Sequence, residues 1–496
     1  MLLSALLKSI TIQEKFNERE LKIAGIAYNS KTVLDNYIFV CIKGQKSDGH
    51  DFLQDAVRKG ATAAIVQEIN EDIDVPQFMV ENSRQALAQI SAAFYHEPST
   101  KMQMIGITAT NGKTTTSYMV NSILEDYGLQ TGLVGTIKAK IGDSYIPSTL
   151  TTPESLELQK YFHEMNEVNT SHAIMEVSSA AQEVNRVDMI DFDIVTLNNI
   201  YREHIDTHGS FERYIDVKTR FIKNAKQGSV AVLNLDCSQA EALIPKTLAT
   251  PVTFSVENGR GDLVVKDLDI STGRARFTVV VRNKISVQNT TIEPTQFHIE
   301  LGIPGMHSVS NSMIAIIVAL LNGVPVTTIQ SSLKTFTGVE RRFEFIYEDG
   351  PIIVDDHFAN PGNIDVTLET INKMNYQHLQ LVYAIRGQRG IDVNKENAEV
   401  IAKWLKKMNL SQIIATKSVS DVTWKDEVTK EEEEVFMEVM KEENISVILF
   451  DELKDAIDFG FSNAAREDLL LLAGCQGMDN GADIVLNQVQ SSTIGM

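Results

Sequence analysis

Short apolar runs along the chain alternate with amphipathic stretches of helical spacing. Near the N-terminus the apolar runs are YIFVCI and TAAIVQE. Between them lie a turn-rich segment, KGQKSDGHD, and a stretch of helical periodicity, DFLQDAVRKG, which closes at Gly60. This pattern predicts a small α/β unit.

The middle of the chain has the pattern of a parallel sheet. From Met104 to Met119 an apolar strand leads through a glycine-containing loop into a helix, and further apolar strands follow at HAIMEV, FDIVTL and GSVAVLNL. Helix-like stretches separate them, which predicts a mostly parallel sheet with helices on both faces. From Asp262 to Leu301 the runs RARFTVVV and QFHIEL alternate with period two, which predicts an antiparallel insert or edge sheet.

A third unit begins near Gly338, with strands at PIIVDD, LQLVYAI, QIIAT, SVILF and DLLLLAG between helical segments. It predicts a doubly wound, Rossmann-like sheet with active groups at the carboxyl ends of its strands. The predicted fold class is therefore α/β with three domains, in agreement with about 150 residues per domain. The predicted domains are 1–98, small α/β; 99–335, a central P-loop-type sheet; and 336–496, Rossmann-like.

Composition and charge exclude several classes of protein. The 45 basic and 66 acidic residues give a net charge of −21 without a basic cluster, which disfavours nucleic-acid binding. The acidic run from Glu431 to Glu434 alternates with apolar residues and predicts the solvated face of a helix. The sequence has no signal peptide pattern and no apolar stretch of about 20 residues, so we expect a cytoplasmic protein without membrane insertion. Three distant cysteines predict buried or idle thiols.

The segment MIGITATNGKTTT has the features of a phosphate-binding loop between a strand and a helix. Backbone N–H groups and the positive end of the helix would hold polyphosphate, Lys113 would neutralise it, and the hydroxyl of Thr114 would hold Mg²⁺. The spacing from Gly106 to Gly112 is one residue longer than the generic pattern, so a tight turn with an incidental lysine is the alternative. The predicted nucleotide-binding residues are Thr110, Asn111, Gly112, Lys113, Thr114 and Thr115.

The loop resembles the ATP loop of the Mur ligases and of their folylpolyglutamate synthetase relatives. Ala109 stands where the family usually has glycine, a mild departure if its φ is negative. The segment NNIYREHIDTHGSFERYIDVKTRF, from Asn198 to Phe221, is similar to a second signature of the family. The resemblance implies an ATP-dependent amide-bond ligase that activates a carboxylate as an acyl phosphate and couples an amino acid to it.

Acyl-phosphate formation brings anionic groups together and needs divalent ions and fixed cations. Glu176, at the end of HAIMEV, can coordinate Mg²⁺. The resemblance implies that His204 joins a second metal site and that Lys218 carries a carbamate, which would hold Mg²⁺; unmodified, Lys218 would bind phosphate directly or lie on a helix face. His208 would cap or orient the loop. The predicted catalytic residues are Lys113, Glu176, His204 and Lys218, and the predicted metal ligands are Thr114, Glu176, His204 and Lys218.

The first third of the chain resembles the tripeptide-forming members of the family. NSKTV, YIFV, SDGHDF and TTPES match segments of those members, whose first domain holds the UDP of UDP-N-acetylmuramoyl-L-alanyl-D-glutamate. The resemblance implies a UDP-linked peptide and a free amino acid as substrates. Ala180 replaces a frequent family histidine. The residues predicted to contact substrate are Ser30, His50, Thr151, Thr152, Ser178, Arg186 and Arg389.

Motifs of the third domain match less closely. RRFE resembles the family's G-R-x-E segment, with Arg342 expected to reach the ATP phosphates. VDDHFANP resembles D-Y-A-H-N-P, which implies ribose binding or a hinge role for Asp356 and leaves Ala359 where the family has histidine. Asn311 matches the second asparagine of G-x-x-N-V-x-N and is a further predicted nucleotide-binding residue.

The choice of amino acid is left open. Members that add diaminopimelate carry a DNPR box, and this chain has ATKSVSDV near that position; GCQGMD and RGQRGID replace two further motifs. Lysine and diaminopimelate are the family's usual amino acids, and such contacts decide between them. The alternatives are a paralogue acting on another carboxylate (in pseudomurein, a secondary metabolite or a polyglutamate-type acceptor) and a nucleotide-binding scaffold with degenerate catalysis.

Overall fold

The computed structural model describes residues 1–44, 47–202, 208–287, 290–338 and 343–494. Within these ranges the strands form three large sheets, one after another along the chain, and a two-stranded ribbon. Each large sheet has buried apolar clusters of its own, so the protein consists of three successive α/β units. The predicted fold class is confirmed, and the domain boundaries stay predictions.

The N-terminal sheet has the strand order β1-β5-β4-β3-β2 and is parallel except for the edge pair β1 and β5. Its strands are β1 Glu14–Phe16, β2 Gly25–Ala27, β3 Tyr37–Val40, β4 Ala61–Val66 and β5 Gln77–Met79. The helices beside it are Leu3–Leu7, Leu53–Arg58 and Ser83–Phe94, with short 3₁₀ turns at Ser30–Thr32, Gly49–Phe52 and Pro98–Lys101. The predicted strands YIFVCI and TAAIVQE form β3 and β4.

The central sheet has the strand order β18-β15-β14-β13-β12-β11-β6-β10-β7-β8-β9. Its bounds are β6 Gln103–Thr108, β7 Thr131–Val134, β8 Lys138–Ile141, β9 Ser144–Pro147, β10 His172–Glu176, β11 Ile194–Leu197, β12 Val230–Asn234, β13 Thr250–Ser255, β14 Leu263–Asp269, β15 Arg274–Val281 and β18 Thr295–Pro304; β16 Ile285–Val287 and β17 Thr290–Ile292 form the ribbon. The strands from β14 to β7 are parallel, and both edges are antiparallel. The segment predicted as an antiparallel insert or edge sheet forms one edge, whereas the other edge, β8 and β9, was not predicted.

Helices cover both faces of the central sheet. Alternate residues of β6 belong to different apolar clusters: Ile105 and Ile107 to one, Met104 to the other. This alternation is that of a strand buried on both faces. The helices of this unit are Lys113–Asp126, Ser155–Glu167, Ser179–Glu183, Phe211–Lys223, Ser238–Glu241, Met306–Leu321 and Val326–Thr335, with a 3₁₀ turn at Ile244–Lys246.

The C-terminal sheet has the strand order β19-β20-β24-β21-β22-β23, with only the edge pair β19 and β20 antiparallel. Its strands are β19 Glu344–Tyr347, β20 Ile352–Asp356, β21 Leu379–Ala384, β22 Gln412–Thr416, β23 Ser446–Phe450 and β24 Leu469–Gly474. Its helices are Pro361–Lys373, Ile391–Lys407, Lys430–Glu442, Leu453–Ser462 and Gly481–Ile494, with a 3₁₀ turn at Gln476–Met478. All five predicted strands are present; the half-buried β19 was missed.

The acidic run of the C-terminal unit is not wholly solvated, so that prediction was wrong at one residue. Glu432 is 2% exposed and completes a capping box with Thr429 at the start of helix Lys430–Glu442. Its carboxylate also accepts backbone N–H groups from the loop that follows β21. Periodicity alone did not reveal these partners because they come from a distant segment.

Two predictions from composition can be compared with the described residues. Cys41, Cys237 and Cys475 are all buried and free of disulfides, as predicted. No helix within the described ranges combines the length and the apolar character needed to cross a bilayer.

Candidate active site

The loop predicted to bind phosphate, residues 109–112, lies at the carboxyl end of β6, in the interior of the central sheet. Gly112 precedes the helix Lys113–Asp126 with φ of 88°, and a Cβ atom there would lie 2.3 Å from Asn311 Oδ1. Only glycine fits this conformation and this approach without strain. Ala109 is buried and is absent from the described residues with positive φ, so its methyl group causes no backbone strain.

Hydrogen bonds from the residues after β11 and from the helix Phe211–Lys223 hold the shape of the phosphate loop, residues 109–112. Asn111 N donates to Asn199 Oδ1 at 3.0 Å, and Asn199 Nδ2 donates back to the Asn111 carbonyl at 3.0 Å. The Thr110 hydroxyl lies 2.8 Å from Tyr214 OH and accepts from Tyr201 N at 3.0 Å. The loop is therefore fixed in advance of ligand binding, which reduces the entropic cost of binding a polyphosphate.

Polar groups that a nucleotide would need converge on this loop. Lys113 Nζ donates to the carbonyls of Ala109 and Thr110 at 3.1 and 3.0 Å, so its charge lies over the loop. Asn198 Nδ2 donates to Asn311 Oδ1 at 2.8 Å, whereas the buried Asn311 Nδ2 has no partner among the described residues. A fixed cation, an unpaired amide donor and a helix N-terminus fit a bound phosphate chain.

Glu176, at the end of β10, is fully buried beside the phosphate loop. Its carboxylate accepts from Thr136 N, from the Thr136 hydroxyl and from the Thr114 hydroxyl, each at 2.9 Å. Burial raises the pKa of Glu176, and these hydrogen bonds oppose the rise. The Thr151 hydroxyl lies 3.1 Å from that of Thr136, which can accept its hydrogen. Sequence reasoning missed Thr136, which reaches the site only because β7 neighbours β10.

The Thr114 hydroxyl and the Glu176 carboxylate together offer the oxygen ligands that Mg²⁺ prefers. In the described part of the chain no group of three histidine, cysteine, aspartate or glutamate residues gathers at a metal-binding distance. A cation at Thr114 and Glu176 would therefore complete its shell with phosphate oxygens and water, as Mg²⁺ does in nucleotide sites. His204 lies outside the described residues.

Lys218 lies under the phosphate loop. It is 1% exposed, its Nζ donates to the Ala109 carbonyl at 2.8 Å, and it lies 5.0 Å from the centre of the Tyr214 ring. It therefore does not occupy a solvated helix face. His208 contacts Ser179 Oγ at 3.0 Å and Glu183 Oε2 at 3.1 Å, and its role in orienting the loop stays a prediction.

Three of the residues predicted to contact substrate surround the main chain of Glu176. Thr152 Oγ1 donates to the Glu176 carbonyl at 2.9 Å and accepts from Ser178 N at 3.1 Å. Arg186 Nη1 donates to the Thr152 carbonyl at 3.2 Å. These side chains form one wall beside the Glu176 strand end.

This wall contacts the N-terminal unit through two acidic residues at the start of the helix Ser155–Glu167. Glu154 pairs with Arg186 at 2.8 Å and with Arg84 of the N-terminal unit at 3.2 Å. Tyr28 OH donates to Glu157 Oε1 at 2.9 Å, and burial, followed by the adjacent Glu157 charge, raises the pKa of Tyr28. The N-terminal unit is thus docked against the side of the site that carries Arg186.

Ser30 and His50, the two residues of the N-terminal unit predicted to contact substrate, make contacts within that unit. Ser30 is buried at the start of the 3₁₀ turn Ser30–Thr32. His50 Nδ1 lies 2.6 Å from Asp48 Oδ1, and His50 Nε2 accepts from Gln67 N at 2.9 Å. Both ring nitrogens are therefore occupied, and a ligand would have to displace one of these contacts or meet the face of the ring.

The C-terminal unit reaches the phosphate loop through the start of one helix. Asn363 Nδ2 lies 3.4 Å from Asn111 Oδ1, and Asn360 caps the helix Pro361–Lys373. Closure of this unit over the loop would exclude water from a reactive intermediate.

Two residues of the C-terminal unit that were predicted to bind ligands, Asp356 and Arg389, already have partners within that unit. Asp356 accepts from Phe343 N at 2.8 Å and from the Thr367 hydroxyl, so both of its carboxylate oxygens are used inside the unit. Arg389 pairs with Asp426 at 3.0 Å. Arg342 lies outside the described residues.

Family models match most of the chain. They are the Mur ligase family catalytic domain over residues 22–95, the Mur ligase middle domain over 107–319 and the Mur ligase glutamate ligase domain over 341–476. The matched segments correspond in order to the three α/β units.

Similar proteins cover almost the whole chain. Proteins named UDP-N-acetylmuramoyl-L-alanyl-D-glutamate–2,6-diaminopimelate ligase are 32% identical in Caldanaerobacter subterraneus subsp. tengcongensis (96% of this chain, 94% of that protein) and 34% identical in Bacillus velezensis (93% and 91%). A solved structure of a ligase of that name has a TM-score of 0.70 at 22% identity, covering 95% of this chain and 93% of that one. The MurF ligase of Thermotoga maritima in complex with ADP has a TM-score of 0.64 at 20% identity, with 93% and 96% covered, and shares the fold. The chain therefore belongs to the Mur ligase family, whose members are ATP-dependent, ADP-forming ligases.

Proposed function

We propose that the protein adds an amino acid to UDP-N-acetylmuramoyl-L-alanyl-D-glutamate through an acyl phosphate, in the synthesis of peptidoglycan precursors. The observation that carries the proposal is the contact between the Thr114 hydroxyl and the buried Glu176 carboxylate at the start of the phosphate-loop helix. The names of the relatives in Caldanaerobacter and Bacillus, which specify this acceptor, support the choice of substrate.

The chain's own groups can perform the positioning that phosphoryl transfer requires. Lys113 and the N–H groups of the phosphate loop would bind and orient the ATP phosphates. Thr114 and Glu176 would hold Mg²⁺, which supplies charge neutralisation between the γ-phosphate and the attacking carboxylate. Asn311 Nδ2, buried and unpaired in the described chain, is suited to donate to the nucleotide.

We assign the acceptor to the wall of Thr152, Ser178 and Arg186, and to Thr151, whose hydroxyl lies 3.1 Å from that of Thr136. Arg186 is held in place by Glu154, yet its buried Nε has no partner among the described residues. A guanidinium with an unused donor is suited to orient a carboxylate. In this assignment residues 1–98, including Ser30 and His50, bind the UDP moiety, and 99–335 bind ATP. Residues 336–496 bind the amino acid, with Arg389 as a contact, while Arg342 and Asp356 of that unit reach the nucleotide.

A carbamate on Lys218 is part of the proposal. The side chain is buried with its Nζ at the carbonyl of Ala109, next to the phosphate loop. Carbamylation would convert this cation into an anion able to hold a second Mg²⁺, with His204 as a further ligand. Unmodified, the ammonium would instead bind phosphate directly.

Substitution of Lys218 by alanine separates these two roles. We expect Lys218→Ala to lose activity and to regain part of it when formate or acetate is added, because a small carboxylate can stand in for the carbamate. Lys223→Ala, on the solvent side of the same helix and paired with Asp216, is the matched control and should keep wild-type activity. Unchanged activity in Lys218→Ala, or rescue by methylamine and not by formate, would refute the carbamate.

The incoming amino acid is proposed to be diaminopimelate or lysine. The relatives' names specify 2,6-diaminopimelate, whereas this chain lacks the DNPR box of members that add it. At that place Lys417 pairs with Asp451 at 2.7 Å and with Glu433 at 3.3 Å. The charge of Lys417 is therefore already balanced, so the contacts that select the side chain differ from those of DNPR members.

Phosphate release from ATP tests the whole proposal. Release should require both UDP-N-acetylmuramoyl-L-alanyl-D-glutamate and one member of a panel containing diaminopimelate, lysine and the protein amino acids, and Glu176→Gln should abolish it. Release that depends on a polyglutamate or another carboxylate instead would identify a paralogue. Absence of release with every acceptor, despite ADP binding, would contradict the proposal and favour a nucleotide-binding scaffold.

A further inference from the structure

An arginine without an assigned role lies at the carboxyl edge of the C-terminal sheet. Arg386 follows β21, an inner strand between β24 and β22. In doubly wound sheets this edge is where ligands bind. Arg389, three residues further on, is the residue of this loop that the sequence predicted to contact substrate.

The two arginines differ in how their charges are balanced. Arg389 is ion-paired with Asp426 at 3.0 Å. Arg386 donates through Nη1 to the Ala359 carbonyl, its Nε is buried without a partner, and no acidic side chain of the described residues forms an ion pair with it. A half-buried guanidinium without an anion carries an uncompensated desolvation cost. Arg386 is therefore the cation of this edge that still needs an anionic partner.

The segment that Arg386 contacts continues into a helix whose first turn contacts the phosphate loop. Ala359 is followed by Asn360 and by the helix Pro361–Lys373, whose Asn363 lies 3.4 Å from Asn111. Three residues of chain thus separate Ala359, which Arg386 contacts, from Asn363 beside the phosphate loop. An anion bound to Arg386 would lie beside the place where an acyl phosphate would form.

The backbone around Arg386 is held firmly. A Cβ atom at Gly387 would lie 2.1 Å from the Asp426 carbonyl oxygen, so two loops pack there in direct backbone contact. Glu432 accepts from the N–H groups of Gln388, Arg389 and Gly390 at 2.7 to 3.0 Å. A preorganised loop of this kind presents a guanidinium in one direction, as a binding site requires.

We propose that Arg386 binds a carboxylate of the incoming amino acid and so orients its amine toward the acyl phosphate. The inference rests on the proposed ligase function and adds a substrate-binding residue to it. Arg386 begins the segment RGQRGID, which replaces a family motif, and it contacts Ala359, where the family has histidine. These two departures of the chain from the family are therefore adjacent in space. Binding of an ATP phosphate by Arg386 is the competing role, and the experiment separates the two.

The test compares an amino acid with its own amide in wild type and in Arg386→Ala. With the amino acid from the panel that wild type uses best, the KM for that amino acid should rise about tenfold to a hundredfold in the variant, the range for a lost charge-assisted hydrogen bond. Wild type should strongly prefer the amino acid to its amide, in which the carboxylate is neutralised, and Arg386→Ala should lose most of that preference. Arg386→Lys should retain an intermediate preference.

Two further measurements keep the outcome specific. ADP binding and hydroxylamine-trapped acyl phosphate, formed without the amino acid, should be unchanged in Arg386→Ala. Arg466→Ala, an exposed arginine at the opposite edge of the same sheet, controls for loss of a charge. If Arg386→Ala keeps the wild-type KM and the wild-type preference for the amino acid over its amide, the role of Arg386 is refuted and the proposed ligase function still stands. Loss of ADP binding in the variant would also refute that role, because Arg386 would then bind ATP. Absence of turnover by wild type with every amino acid would overturn the proposed function and this inference with it.

Discussion

Replacement of Glu432 by glutamine should destabilise the C-terminal unit although it changes only one atom. Glu432 Oε1 accepts from the N–H groups of Arg389 and Gly390 at 2.8 and 2.7 Å, and Oε2 accepts from those of Gln388 and Thr429 at 3.0 Å each. A glutamine keeps one oxygen and turns an amide NH₂ toward two of these donors. Two hydrogen bonds to a charged group, at about 1.5–3 kcal/mol each, are then lost, and relaxation of the loop recovers part, which leaves about 3 kcal/mol.

Tryptophan fluorescence is a selective assay for this loss. The chain has two tryptophans, Trp404 and Trp424, and both belong to the C-terminal unit. Trp404 is buried and donates to Asp365 at 2.7 Å, so its emission will change when this unit unfolds. Urea unfolding followed by this fluorescence should show a free energy of unfolding that is about 3 kcal/mol lower in Glu432→Gln than in wild type. Glu434→Gln, on the exposed side of the same helix, should stay within about 0.5 kcal/mol of wild type.

The same substitution gives a prediction for pH. Burial opposes ionisation, but the backbone donors hold the pKa of Glu432 below its ordinary value of 4.5. Because the pKa of Glu432 is lower in the folded state than in the unfolded state, its carboxylate stabilises the fold fully at pH values above the unfolded-state pKa. This stabilisation declines as the pH falls through the folded-state pKa. The advantage of wild type over Glu432→Gln should therefore narrow below pH 4.5. A loss under about 1 kcal/mol at neutral pH, or an advantage that does not change with acid, would refute the role assigned to the carboxylate.

Two further substitutions test the phosphate loop and Glu176 beside it. Gly112→Ala should weaken ADP·Mg²⁺ binding at least about tenfold in calorimetry, because alanine is strained at a φ of 88° and its Cβ would press on Asn311. Binding within twofold of wild type would contradict the requirement for glycine. Thr136→Val should lower Mg²⁺ affinity a few-fold, because it removes the hydroxyl hydrogen bond to Glu176, whereas Thr136→Ser should stay near wild type. Equal Mg²⁺ titrations for all three proteins would show that the hydroxyl is dispensable.

The phosphate loop could be predicted because its parts are contiguous in sequence. The strand, the loop and the helix from Gln103 to Asp126 follow one another, and backbone geometry brings their groups together within a few residues. Thr152 and Ser178 lie beside the Glu176 strand end, and their contact with substrate stays a prediction. His204 and Arg342 stay predictions.

Other parts of the site could not be read from local spacing. Thr136 lies 40 residues before Glu176 in the chain and reaches it only through the pairing of β7 with β10. Glu432 had the periodicity of a solvated helix face, and its partners at Gln388 to Gly390 are more than 40 residues away. In both cases the decisive contact joins separate elements, which no periodicity within one element can report.

The sequence by itself determined the three α/β units, the position of the nucleotide loop and the family, because these depend on short-range patterns of apolar, glycine and hydroxyl residues. Tertiary structure alone decided which charges have partners. A motif singled out Arg389, yet Asp426, 37 residues further along the chain, already balances its charge. Arg386, three residues before it, forms no ion pair with an acidic side chain of the described residues, and its buried Nε has no partner among them. Pairing between charges depends on distance in space and on the cost of burying them, and the order of residues along the chain specifies neither.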